Sequence, residues 1–238
     1  MVESLPDSAR DDWLPDADRG ECGVRLNSYF VRGGQDASVG EFPFIALLGY
    51  KSDSSGRTVY KCGGSLINRR YVLTAAHCHV PGRDEVIEVV LGELVVSTDP
   101  DCDVCQSAQR YQPAEITRHP DYSLDSGIPV NDLALIRLSQ LATTFYENFN
   151  TPTLPVCLSF AAGNPPDLLE MPQIVVAGWG KTTNRQLSYS NFSKIGVSSD
   201  RLQKLQVPLV DLEECRKSFS YVDEDTICAG GVSGTIVR

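Results

Sequence analysis

The stretch CGGSLINRRYVLTAAHC sets Cys62 and Cys78 around fifteen residues and places His77 directly before the second cysteine. An imidazole changes charge near neutral pH, so a histidine held rigidly can take up and return a proton during a reaction. A disulfide closing such a loop would contribute about 3 kcal/mol in the chain-entropy account and would pin the backbone beside the ring. A lone histidine is equally compatible with a structural or exposed role. The second candidate is Asp132 in NDLALIRL, at the head of the apolar run Leu133 to Leu138. That run should draw the carboxylate inward, and a carboxylate taken out of water needs partners. The functional reading is a buried carboxylate that accepts a hydrogen bond from a histidine and stabilises its charged form during proton transfer. The plain alternative is an Asn-Asp turn before a strand, with the carboxylate solvated.

The elements that would hold these groups read as strands. Short apolar runs punctuated by Gly, Pro, Asn and Asp recur along the chain: FPFIALLGY, YVLTAA, VIEVVLGE, DLALIRL, IVVAGWG, LQVPLV and TICAG. Each is strand length, and several are β-branched or alternate with polar residues. Helix is scarce. The best candidate is DLEECRKSFS, where Asp211 can cap the first turn and Glu214 complete a capping box. Many short strands joined by turns predict an all-β barrel or sandwich.

Composition bounds the class. The 238 residues suffice for a substantial core, and 42% hydrophobic content is that of a globular protein. A net charge of −10 argues against nucleic-acid and anionic-membrane partners, which reward clustered Lys and Arg. No apolar run approaches the roughly 18 residues of a membrane span. Eight cysteines without a metal-type Cys/His cluster fit an oxidising, extracellular setting. The opening MVESLPDSARDDWLPDADRG shows no basic start followed by an apolar run, hence no visible signal peptide.

Taken in order and with their gaps, TAAHC, NDLALIRL, AGWG and CAGG resemble the trypsin-like (chymotrypsin-family) serine proteases across residues 31 to 231. Within that family LGELVVSTDPDCDVC and ITRHPDY are most similar to the arthropod clip-domain branch. The resemblance implies a chymotrypsin-like double antiparallel β-barrel with the active site between the barrels, the second barrel being incomplete here. It divides the chain into a linker and activation segment over 1–30 and a trypsin-like domain, lacking its C-terminal part, over 31–238. His77 corresponds to the family's general base and Asp132 to the residue that orients it. Such a pair is needed because a neutral serine hydroxyl is a poor nucleophile until a base removes its proton.

By the same resemblance Cys62 pairs with Cys78, Cys215 with Cys228, and Cys22 with Cys157, the last tethering the N-terminal linker. Cys102 and Cys105 look like the clip branch's extra bridge. Half of a zinc site and a redox dithiol are the competing readings. Zinc would need two more ligands, and a thioredoxin-like motif a βαβ setting. No metal and no cofactor are expected. Glu93 with Asp101 and Asp103 resembles a calcium loop of some relatives, but a hard cation wants six or more oxygens and that ligand set is not evident. Asn191 in NFS is a candidate N-glycosylation site. His79 and His119 read as structural or exposed.

The sequence departs from the family twice. Around the expected activation cleavage it reads NSYFVRGGQDA, which makes Phe30, Val31 and Arg32 the candidate positions and fits neither the usual Arg or Lys nor the usual new terminus. After CAGG the family continues into Gly-Asp-Ser-Gly-Gly, which supplies the nucleophile and the oxyanion-hole amides, and this sequence has no such segment. Ser233, five positions after Cys228, lacks the preceding Asp and the flanking Gly pair and is not expected to substitute. A missing oxyanion-hole donor alone forgoes about 3 to 4 kcal/mol. The expectation is therefore an extracellular serine endopeptidase of a proteolytic cascade, met here as a fragment or mispredicted product that is inactive as written. Its partners would be a protein substrate, an upstream activating protease, or another cascade protein. The alternative is a secreted non-catalytic homologue that binds or regulates.

Overall fold

The computed structural model describes residues 14–15, 20–23, 35–52, 56–103, 105–124, 129–145, 148, 152–158, 173–182, 197–219, 222, 226–230 and 236–237. Within them the first strands are β1 (Gln35–Asp36), β2 (Ile45–Lys51), β3 (Thr58–Leu66), β4 (Tyr71–Thr74), β5 (Val86–Leu91), β6 (Gln109–Tyr111), β7 (Pro113–Arg118) and β8 (Ala134–Leu138). There follow β9 (Gln173–Gly178), β10 (Lys181–Thr182), β11 (Val197–Ser198), β12 (Gln203–Val210), β13 (Cys228–Gly230) and β14 (Ile236–Val237). A 3₁₀ turn covers Ala76–Cys78, and an α-helix, α1, covers Leu212–Ser218. The chain is all-β in class. It divides into two units, one of Met1–Ser28 with Ser38–Gly163 and one of Tyr29–Ala37 with Asn164–Arg238.

The first unit is built on a seven-stranded antiparallel sheet in the order β6-β5-β2-β3-β4-β8-β7. The sheet curls until β7 approaches β5, a nearly closed barrel. Alternation decides what faces inward: on β8, Ala134, Ile136 and Leu138 are buried while Leu135 and Arg137 turn out. Leu48, Leu66, Val72, Val89, Leu91, Ile136 and Leu138 meet in one core with Tyr50. The nine-residue β3, TVYKCGGSL, is not among the apolar runs that announce strands, because Cys-Gly-Gly interrupts its middle. Its glycines answer to packing. A Cβ on Gly64 would lie 2.6 Å from Val72 Cγ1 and 2.9 Å from the Leu73 carbonyl, so β3 and β4 approach only with hydrogen there.

The second unit centres on β12, which pairs antiparallel with β1, β9 and β13, while β14 extends the sheet from β13. Among its described residues Cys215, Val222 and Cys228 form a small buried cluster, with Val210, Leu212 and Phe219 packed against it. Helix α1 starts where the sequence predicts: the Asp211 carboxylate accepts the Glu213 N–H at 2.7 Å. The capping box does not form. Glu214 turns to Lys217 one turn along, because an exposed ammonium at i+3 offers its carboxylate a full charge.

Candidate functional site

His77 owes its place to three restraints from the first unit. β4 delivers the chain into the 3₁₀ turn Ala76–Cys78, whose closing bond runs from the His79 N–H to the Ala76 carbonyl. The Cys62–Cys78 disulfide ties that turn to β3. From within the core, the hydroxyl of buried Tyr50 on β2 donates to the Cys78 carbonyl at 2.7 Å. Burial, with Asp84 nearby, pushes the Tyr50 phenol up to about 12, so it stays protonated and a donor at any physiological pH. Sequence reasoning did not single out Tyr50. Nothing local marks a tyrosine 28 residues away as the anchor of this turn.

Asp132 meets His77 twice. Its Oδ1 accepts the His77 backbone N–H at 2.8 Å and its Oδ2 lies 2.6 Å from His77 Nδ1. The carboxylate thus fixes both backbone and ring, and an Nδ1–H donated to it leaves the Nε2 lone pair free to take a proton. The expectation of an interior carboxylate needs correction. Asp132's side chain is 23% exposed and that of His77 57%. The apolar run does not carry Asp132 fully inside, because β8 begins only at Ala134 and Asp132 lies before it, beside the left-handed Asn131, with its carboxylate turned to His77. Both readings of the Asn-Asp pair hold at once: Asn131 makes a turn, at φ 52°, and Asp132 binds the histidine.

The eight cysteines form Cys22–Cys157, Cys62–Cys78, Cys102–Cys105 and Cys215–Cys228. Cys62, His77 and Cys78 lie close enough to suggest a metal cluster, but the two sulfurs are bonded to each other and offer no thiolate. Asp101 and Glu93 of the calcium-like loop each have partners within the chain. Both Asp101 oxygens accept backbone N–H groups, from Leu94 at 2.9 Å and Val95 at 3.1 Å. Positive charge is already supplied by Arg110, whose guanidinium reaches Glu88 at 3.2 Å, Glu93 at 3.5 Å and Asp99 at 3.6 Å. The Glu93 side chain is only 2% exposed, and its Oε1 has no hydrogen-bond partner. Burial first, then Asp101 and Asp99, raise it to about 7 against the pull of Arg110.

His79 Nδ1 is also buried without a partner, and burial with Arg118 nearby holds this ring below the usual histidine range. His119 Nδ1 accepts the Asp121 N–H at 3.2 Å. Phe30, Val31, Arg32, Asn191 and Ser233 lie outside the described residues.

A curled antiparallel sheet that presents a histidine oriented by a carboxylate defines a class, and the comparisons with known proteins supply the family. The trypsin family model matches residues 31–236, and the chain belongs to the trypsin family of serine proteases. Its relatives include arthropod clip-domain proteases. It is 36% identical to phenoloxidase-activating factor 3 of Holotrichia diomphalia, over 91% of this chain and 59% of that protein. With melanization protease 1 of Drosophila melanogaster it shares 36% identity, over 90% and 52% respectively. For CLIP domain-containing serine protease HP8 of Bombyx mori the values are 35%, 90% and 56%. The chain therefore spans about half to three fifths of the curated relatives it matches. Among solved structures, the Drosophila Grass clip serine protease of the Toll pathway superposes with a TM-score of 0.68 at 27% identity, covering 88% of this chain and 56% of that one. The fold is the chymotrypsin-like double β-barrel.

Proposed function

We propose that this chain is the trypsin-like portion of a secreted serine endopeptidase of an arthropod extracellular cascade. In that enzyme His77 is the general base and Asp132 the residue that orients it. The observation that carries this reading is the 2.6 Å contact between His77 Nδ1 and Asp132 Oδ2 in a trypsin-family chain. In the reaction Nε2 would take the proton of a serine hydroxyl as it attacks the scissile carbonyl. It would then return that proton to the departing amine while Asp132 stays ionised beside the imidazolium. None of the serines of this sequence stands in a Gly-Asp-Ser-Gly-Gly context, so the 238 residues by themselves are proposed not to hydrolyse peptides. The even cysteine count and the cascade roles named for the relatives favour an extracellular setting.

The test has two arms. Residues 1–238, expressed oxidised and treated with a serine-directed phosphonate, should remain unlabelled; labelling at Ser233 overturns the inactivity. Reading the transcript past the Gly231 codon should reveal a frame encoding Gly-Asp-Ser-Gly-Gly. The protein carrying it should cleave peptide amides and lose on the order of 10⁴ to 10⁶ in kcat with His77→Ala. A natural message that ends with Arg238, together with a folded, unlabelled chain that binds another cascade protein, would instead establish the non-catalytic homologue.

A further inference from the structure

The residue before Asp132 has an unusual backbone. Among the described residues Asn131 is the one non-glycine with positive φ, at 52°, in the left-handed region that L-residues enter at a cost and that asparagine tolerates best after glycine. Its surroundings explain why the chain turns there. On one side Val130 and Ser123 exchange N–H to carbonyl bonds of 2.9 and 3.2 Å. On the other, the His119 N–H donates to the Leu133 carbonyl at 2.8 Å. Residues 130 and 133 are thus both pinned to the 119–123 segment, and only Asn131 and Asp132 remain free to redirect the chain between them. Two further bonds close the device: the Leu133 N–H donates to the Asn131 carbonyl at 2.8 Å, and Asn131 Nδ2 donates to the Asp121 carbonyl at 3.1 Å.

We infer that Asn131 is a positioning residue, whose left-handed backbone, pinned between the Val130–Ser123 and His119–Leu133 bonds, aims the Asp132 carboxylate at His77. Asn131 touches neither the ring of His77 nor any reacting atom. Its effect passes through the two Asp132 contacts of 2.8 and 2.6 Å, which require Oδ1 and Oδ2 to face the 3₁₀ turn together. A residue that resists positive φ would swing the next side chain and break both. The inference rests on the His77–Asp132 reading above but not on any hydrolytic activity.

The test uses the full chain, oxidised and ¹⁵N-labelled at histidine, and follows the low-field His77 Nδ1–H resonance and its exchange with solvent. Asn131→Gly keeps the left-handed backbone while deleting the amide, and should retain the resonance. Asn131→Val, β-branched and excluded from this region, should lose it or exchange about tenfold faster, as the penalty for left-handed backbone implies. Should the valine variant not fold, Asn131→Ala against Asn131→Gly reads the same contrast more gently. Retention of a wild-type signal in the valine or alanine variant overturns the proposal and leaves the proposed enzyme standing. A glycine variant that loses the signal as fully as valine also overturns it. A wild-type chain with no such resonance overturns the dyad and this inference together, whereas a failure to hydrolyse peptides touches only the enzyme.

Discussion

In the first unit seven strands enclose a continuous core, and the histidine turn hangs from that core by Tyr50 and by a disulfide to β3. Among the described residues of the second, a smaller sheet centred on β12 leaves Val175 and Leu205 exposed, and one buried cluster is two-thirds disulfide, Cys215 and Cys228 with Val222. A covalent link across a loop of this length contributes about 3 kcal/mol, comparable to burying one or two large side chains. The contrast teaches how a fold can divide its labour. Where apolar burial is ample, geometry fine enough for proton transfer can be hung on packing and hydrogen bonds. Around α1, the Cys215–Cys228 crosslink and the Asp211 cap add to a small apolar cluster.

The strongest way to break the contrast is to damage the larger core. Ile136→Ala, fully buried two positions beyond Ala134 on β8, should lower the unfolding free energy by about 2 to 5 kcal/mol in urea denaturation. Val175→Ala in the second unit, where the side chain is 42% exposed, should stay within about 0.5 kcal/mol. Equal effects would show that the two units do not differ in how they are held.

The next prediction concerns a cost inside the first unit. Glu93 ionises near 4.5 when free and at about 7 in the folded chain, so the native state holds its proton more tightly than the unfolded state does. That contribution is present in full below pH 4.5 and is lost as pH rises through about 7, at which point a carboxylate is buried with one oxygen unbonded. Native stability attributable to this group should therefore fall by on the order of 3 kcal/mol between pH 4.5 and 8. Glu93→Gln should remove that slope while preserving shape. Denaturation curves for both proteins over this range that run parallel would contradict it.

The smallest effect is expected in the second unit. Asp211→Ala removes the acceptor of the Glu213 N–H at the start of α1 and should cost about 1 kcal/mol. Glu214→Ala should change stability by no more than about 0.5 kcal/mol, since its partner is an exposed Lys217 and not the helix start. A large loss from Glu214→Ala would restore the capping box that the sequence suggests.

Much of this organisation is legible in residue order because it is local. The period-two run Leu133–Leu138, the β-branched Val86–Leu91 and the Asp211 cap each carry their signal within one element, and His77 and Asp132 stand out by type and neighbours. Elsewhere local cues mislead. Cys-Gly-Gly hides β3, since Gly64 answers to Val72 across the sheet and Gly63 to the Ala46 carbonyl, and Glu214 prefers Lys217 to the helix start. The apolar run after Asp132 suggests burial, but Asp132 precedes β8 and its carboxylate, turned to His77, stays partly in water.

By itself, then, the amino-acid order determined an all-β chain of the trypsin family, the strands whose apolar pattern is self-evident, and which histidine and which carboxylate to watch. Tertiary structure alone decided how they meet. The bond from Tyr50 to the histidine turn spans 28 residues and that from His77 to Asp132 spans 55. Pairings at such separation depend on sheet register, and no window of neighbouring residues contains both partners.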